Sequence, residues 1–418
     1  MATYRIGAAT APIFGFAAAI ALLSADDAGA QGQVHDIRLG HHSGMSLSTK
    51  DADTLIGQMN GVMAYSKPPC DVRFRRNGAP AKYNSALPSI VSSKAAFNSF
   101  ASSPYSVHIV EAIYWCGGPS SGGVMLGCAS HGGPVLVVRS SKLARATVHE
   151  IGHAQELGHS PTVSNLMYRS LTPTSRDVNA VQCSDAYGKA QTFALDGDDA
   201  GPTPQDEPIE ALPTPTNDDE LRAFLQSGWL YPDAAIPAIL ALSPEQVQTV
   251  RGHLAGDDQT TWANALTVLG LRGTNDDVGL IRQVLETSGS DDVLREAKLS
   301  VPAALGYLSY TAKSKDAADL LTSLVVPGGA VGFFQGSPDS DQQSNGKILT
   351  LSAIRNLPIA QAAGFERAGQ ELAFVLENKA AALSQFGADE DFVASTMQFG
   401  QIVMQQGLVP ALQIKPLQ

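Results

Sequence analysis

The chain has 418 residues, more than one ordinary hydrophobic core accommodates, so two domains are expected. Hydrophobic residues make up 44% of it, which suits a globular protein and excludes wholesale disorder. A formal net charge of -12 argues against nucleic acid or an anionic membrane as the principal partner.

Residues 1–30 read as an export signal. Arg5 provides a short positive start, Ile13 to Leu23 an apolar run, and Ala28-Gly29-Ala30 a small-residue cleavage site. This predicts a mature chain beginning at Gln31, secreted or periplasmic. The apolar run is short for a membrane anchor, and no other stretch is long and apolar enough to span a bilayer. Export also gives the four cysteines a meaning: Cys70, Cys116, Cys128 and Cys183 read as two disulfides. Of the three pairings, the favoured one joins Cys116 to Cys128, stapling a Gly-rich loop, and Cys70 to Cys183, tying early chain to late. The alternative is a Cys70 thiolate, in "KPPCDV", that caps a metal and keeps an enzyme latent; a disulfide explains Cys70 more simply.

From Val34 to about Tyr187 the pattern is mixed α/β. "STKDADTLIGQMNGVMAY" has apolar residues at helical spacing after a Ser/Thr start and predicts a helix. "CDVRFRRNG" alternates and stops at Asn-Gly, a strand and a turn. "SVHIVEAIYW", "GVMLGCA" and "PVLVVRS" are β-branched and aromatic, with Gly and Pro between them, and predict three more strands. "KLARATVHEIGHAQEL" is helical in pattern. Residues 31–194 therefore form one domain. Leu195 to Asp219 is acidic and Pro-rich and predicts an extended, solvated linker. Its "DGDD" offers oxygens to calcium but reads better as a solvated acidic run, so Ca2+ has no clear motif.

Residues 220–418 read as helix pairs. "TTWANALTVLGLRGTNDDVGLIRQVLE" is helix, polar turn, helix, and the plan recurs in "LREAKLSVPAALGYLSYTAKSKDAADLLTSLV" and "NGKILTLSAIRNLPIAQAAGFERAGQELAFVLE". Leu269-Gly270 and Leu305-Gly306 lie 36 residues apart, near the period of stacked helix pairs. The half loosely resembles HEAT-type repeats; a plain helical bundle is the competing reading.

The chemistry concentrates in "TVHEIGHAQELGHSPTVSNLMYRS". On a helix His149 and His153 share a face and can offer two imidazoles to one ion. Glu150 lies beside them, off the ligand line, where a carboxylate can move protons. Two residues compete to be the third ligand. Glu156 falls on the same face but roughly 10 Å along a continuous helix from His149. His159 reaches the ion only if the chain leaves the helix after His153 and folds back, and Gly158 is the obvious place for part of that turn.

The segment resembles the metzincin metalloproteases, whose motif is HExxHxxGxxH followed by a methionine turn. His149, Glu150, His153 and His159 fall in register with it, and Ser160 and "LMY" are similar to the matrixin branch. The resemblance covers Val34 to Tyr187. It implies an α+β, zincin-like catalytic domain, followed here by the all-α half, and one catalytic zinc on His149, His153 and His159. Glu150 is then the general base that activates a water, and Met167 the apolar floor beneath the ion. Tyr168 is not expected as a ligand. The departure is Glu156 in place of the motif's glycine, at a cost of about 1–2 kcal/mol if it turns left-handed. His35, His41, His42, His108, His131 and His253 read as ordinary surface or core residues, with a second structural metal on His108 and His131 the weaker alternative. Asp71 and Glu111 read as strand-end polar residues.

The expectation is an exported zinc endopeptidase acting on peptide or protein substrates. A strand such as "PVLVVRS" holds the substrate backbone along a sheet edge, and the helical half binds a protein partner, a substrate or the cell surface. The rival is an interaction or scaffold protein whose helical half binds a partner and whose zinc domain is a catalytically weak relic. The intact histidine and glutamate set favours the enzyme.

Overall fold

A computed structural model of the chain describes residues 33–67, 69–83, 86–117, 124–162, 164–168, 171, 175–187, 212–227, 232–289, 291–325, 330–335, 339–378 and 390–413. The expected export signal, with its cleavage site near Ala30, lies outside these residues, as does the linker up to residue 211.

The N-terminal half is α+β. Strands β1 (Val34–Ile37) and β3 (Arg73–Arg76) pair in parallel. Between them runs α1 (Thr49–Ala64), opened by a reciprocal capping box of Ser48 and Asp51. Asn60 on α1 locks β3 in place, since its side chain donates to the Phe74 carbonyl at 2.9 Å and accepts from the Phe74 N–H at 2.7 Å.

The main sheet has the order β4-β2-β6-β9-β8. Its strands are β2 (Leu39–His41), β4 (Ala81–Lys82), β6 (Val107–Val110), β8 (Gly127–Ala129) and β9 (Val135–Val138). β8 alone runs antiparallel to its neighbour. Alternation distributes the side chains. Val107, Ile109, Val135 and Val137 share a core with α1 and with α3 (Leu143–Ala154), while Val110, Leu136 and Val138 pack with Phe97 and Phe100 on the other face. The run "SVHIVEAIYW" is interrupted at Glu111, and its second part, β7 (Ala112–Ile113), pairs with β5 (Ile90–Val91) in a separate ladder. Phe97 comes from the short helix α2 (Lys94–Asn98).

One expectation fails here. β9, the strand in "PVLVVRS", lies between β6 and β8 and has no free edge. The edge strands of this sheet are β8, beside β9, and β4 on the far side. An unbroken apolar run is what a strand buried on both faces requires; the shorter, Gly-flanked β8 suits the margin.

Both favoured disulfides form, Cys70–Cys183 and Cys116–Cys128, and no cysteine is free. Cys70 therefore carries no thiolate that caps a metal.

The C-terminal half is helical. α4 (Asp218–Leu225), α5 (Pro232–Ala241) and α6 (Pro244–Ala255) lead into three pairs: α7 (Trp262–Arg272) with α8 (Val278–Glu286), α9 (Asp292–Thr311) with α10 (Lys315–Ser323), and α11 (Asp339–Ala362) with α12 (Glu366–Glu377). Helices Glu390–Gln406 and Leu408–Gln413 follow. α9 packs between α7 and α11. The paired glycines mark where the helices approach most closely. A Cβ at Gly270 would come within 2.9 Å of the Ala304 backbone on α9, and one at Gly306 within 2.9 Å of Asn356 on α11. No described helix is long and apolar enough to cross a membrane.

The halves meet along a shared seam. Ile90, Ala112, Tyr114 and Tyr168 belong to the apolar core of the helical half, and the Tyr114 ring lies 5.2 Å from that of Phe392. Packing also begins before the expected end of the linker: Leu212 is buried in that core and α4 starts at Asp218.

Candidate metal centre

α3 carries "LARATVHEIGHA" and ends at Ala154. Its end is a Schellman turn. The Leu157 N–H reaches back to the Gly152 carbonyl at 3.0 Å, and the Glu156 N–H to the His153 carbonyl at 2.9 Å. The left-handed residue the turn needs is Glu156, with φ 69°. Gly158 does not take that role; it is absent from the positive-φ positions. The turn reverses the chain and brings His159 back to the histidines of α3.

The three Nε2 atoms converge. His153 Nε2 lies 3.0 Å from His149 Nε2 and 3.2 Å from His159 Nε2. Tetrahedral zinc–nitrogen bonds of about 2.0–2.1 Å separate ligand nitrogens by about 3.3 Å. The other ring nitrogens are committed. His149 Nδ1 donates to the Leu166 carbonyl and His153 Nδ1 to the Leu157 carbonyl, both at 2.7 Å. The two imidazoles of α3 are thus held in the tautomer that turns their Nε2 lone pairs inward. Burial, with the neighbouring His153, pushes His149 down to about 3, and burial pushes His153 down to about 4. Lone pairs facing one another at this distance repel, and a cation placed among them would relieve that repulsion. The donor set therefore fits a metal ion. Among the described residues, these histidines are the only group of three or more His, Cys, Asp or Glu with ligand atoms so close.

Glu150 is 4% exposed, and burial raises its carboxyl to about 8. It lies against Gly127 of β8, where an added Cβ would come within 2.6 Å of the Glu150 Cγ. Gly127 is glycine because the carboxylate side chain occupies that space.

Met167 is fully buried. Asn165 shapes its turn by accepting from the Met167 N–H at 2.8 Å, and the Met167 carbonyl accepts from the Ser160 N–H at 2.8 Å. The Leu166 carbonyl that orients His149 belongs to the same turn. Met167 packs under α3 at Gly152, where a Cβ would collide with its sulfur and come within 2.5 Å of the Tyr187 hydroxyl. That hydroxyl donates to the Val148 carbonyl at 3.0 Å and lies 3.4 Å from the Met167 sulfur. Tyr187, fixed by Cys183–Cys70 four residues before it and by His35 at its carbonyl, is a supporting residue that sequence reasoning missed. Gly127 is another.

The remaining candidates scatter. Glu156 is exposed and Tyr168 is buried in the seam core. His108 is enclosed by Tyr83, Phe100 and Tyr105, while His131 is exposed, so the second-metal alternative does not form. His253 is half-buried on α6, and Asp71 is exposed beside Arg73. Glu111 is no ordinary strand-end residue. It is buried in the seam, 3.3 Å from His42 Nδ1, and accepts from Ser89 at 2.6 Å and from Ser344 of α11 at 2.7 Å. Comparison with protein-family models, curated proteins and solved structures finds no match to this chain.

Proposed function

We propose that the chain is an exported zinc-dependent endopeptidase with a metzincin, matrixin-like catalytic half. The observation that carries this reading is the convergence of His149, His153 and His159 through their Nε2 atoms, each α3 imidazole oriented by a backbone carbonyl. The register of the motif, the sheet with an antiparallel edge strand and the buried Met167 under the helix support it. Two disulfides agree with an oxidising compartment.

Each residue has a definite task. His149, His153 and His159 hold the ion; zinc, when bound, supplies Lewis acidity toward water and a peptide carbonyl. Glu150 takes a proton from the attacking water and delivers it to the leaving amine. β8, which pairs with β9 alone among the described strands, offers its outer backbone groups to an extended peptide.

The test is cleavage of a peptide library by the purified mature chain, with and without a chelator, beside Glu150→Ala. Cleavage should vanish with chelator and return with zinc. Glu150→Ala should retain the metal and lose cleavage by about 100-fold or more. A parent chain that binds zinc and cleaves nothing would establish the interaction-protein alternative instead.

A further inference from the structure

Ser140 shapes the turn that opens α3, its Oγ accepting from the Lys142 N–H at 3.3 Å and its carbonyl from the Leu143 N–H at 3.1 Å, but the helix lacks other usual devices. Its N-cap, Lys142, makes no side-chain cap hydrogen bond, and its first turn contains no acidic residue. A cation at a helix N-terminus also opposes the macrodipole. The missing carboxylate comes from the other half of the molecule. Glu296 of α9 accepts from Ser141 Oγ at 2.8 Å and from Lys142 Nζ at 2.8 Å. This pair is largely enclosed, with side chains 16% and 10% exposed, so water screens it less than a surface pair.

The preceding residue contacts tell the same story. Arg139 follows β9 directly and reaches Asp292 of α9 at 2.6 Å and Asp341 of α11 at 2.9 Å. Its carbonyl accepts from Arg295 of α9 at 2.6 Å. Arg139, Ser141 and Lys142 all belong to the short connection between β9 and the metal-site helix. A cavity of about 110 Å³ adjoins it, lined in part by Leu126, Ser140 and Leu299. Close packing is incomplete there, so polar contacts hold the connection.

We propose that the helical half positions the metal-site helix, and that Glu296 is the positioning residue. It neutralises Lys142 and tethers Ser141 where α3 starts. From Lys142 to Glu150 the chain is one continuous helix of about 12 Å at 1.5 Å per residue. Loosening at its start is carried to the carboxylate and to His149. The catalytic consequence rests on the endopeptidase reading; the structural one does not.

The experiment uses the full mature chain with Glu296→Ala, Glu296→Gln and, as control, Arg222→Ala. The control breaks the Arg222–Asp258 pair, both partners of which belong to the helical half. Hydrogen exchange of amides 143–149 should accelerate about tenfold in Glu296→Ala, less in Glu296→Gln, which keeps an acceptor oxygen, and not in the control. Peptide cleavage should show kcat falling in the same order with KM unchanged. Should Glu296→Ala fail to fold, Glu296→Gln carries the comparison. Parent-like exchange at 143–149, or acceleration spread uniformly over the N-terminal half, overturns the proposal. If the parent cleaves no peptide, the endopeptidase reading falls, and the exchange result still decides the positioning role.

Discussion

Glu156 stands where the motif that this segment resembles carries a glycine, and it takes the left-handed conformation of the turn itself. It adopts φ 69° at the end of α3, a conformation that costs a side-chain-bearing residue about 1–2 kcal/mol. The two Schellman hydrogen bonds and the His153–Leu157 contact hold it there. Its side chain is exposed and is not among the clustered ligand atoms. Glu156→Gly should therefore keep the metal and raise stability by up to about 1 kcal/mol, the relief of strain being partly offset by the greater freedom of glycine in the unfolded chain. His159→Ala should lose metal on dialysis, because two protein ligands remain. Zinc content and urea midpoints of both variants beside the parent check this. Metal lost from Glu156→Gly and kept by His159→Ala would reverse the ligand assignment.

At the scale of elements, α3 functions through what touches its two sides. On one side Gly127 of β8 makes room for Glu150; on the other Gly152 makes room for Met167 and Tyr187. Gly127→Ala should displace the carboxylate while leaving the histidines in place. On the endopeptidase reading, the expected outcome is parent-like zinc content with cleavage reduced by about 100-fold, approaching the loss expected of Glu150→Ala. Gly152→Ala should instead cost about 1–3 kcal/mol through overpacking under the helix, measured by chemical denaturation. Equal effects of the two variants on metal, stability and cleavage would contradict this division. The same contacts show what was legible in the sequence. His149, His153 and their Glu are related by helical spacing, so local rules found them; His159 competed there with Glu156 and was chosen by the resemblance of the motif. Gly127 and Tyr187 meet α3 only through the sheet and the Cys70–Cys183 link, and no local pattern announces such contacts. The position of β9 inside the sheet was available from its continuous apolar run, whereas the partner of its neighbour depends on the whole topology.

For the whole molecule, the seam makes the two halves one body, and charged residues that look solvated in the sequence become its fasteners. Lys142 and Glu296, or Arg139 with Asp292 and Asp341, carry no sign of pairing until the fold brings them together. The helix pairs were legible from their apolar spacing and from Gly270 and Gly306; the face they turn to the sheet was not. Glu111 gives the seam a pH dependence. Burial alone would raise its carboxyl, but the hydrogen bond and charge of His42, with Ser344 and Ser89, bring it down to about 2 from 4.5. A depressed folded value stabilises the protein above pH 4.5, and that contribution is lost as pH falls from 4.5 through about 2. It amounts to about 3 kcal/mol at most. Urea unfolding at pH 7 and pH 2.5 should show the parent losing more stability on acidification than Glu111→Gln; identical losses would remove Glu111 as the cause. The seam also changes the expectation for the acidic, Pro-rich segment. Were the halves separate domains on a tether, cutting that segment would release a free helical fragment. With Leu212 packed in the helical core, Tyr114 against Phe392, and Ser344 bonded to Glu111, the pieces should instead stay together. A site for a sequence-specific protease placed between residues 195 and 211 permits the measurement. After complete cleavage both fragments should co-elute from a sizing column at the parent's volume and part only in denaturant. Two separate peaks of folded fragments would mean that the seam is too weak to join the halves, and with it the tethering of α3 by Glu296 would lose its footing.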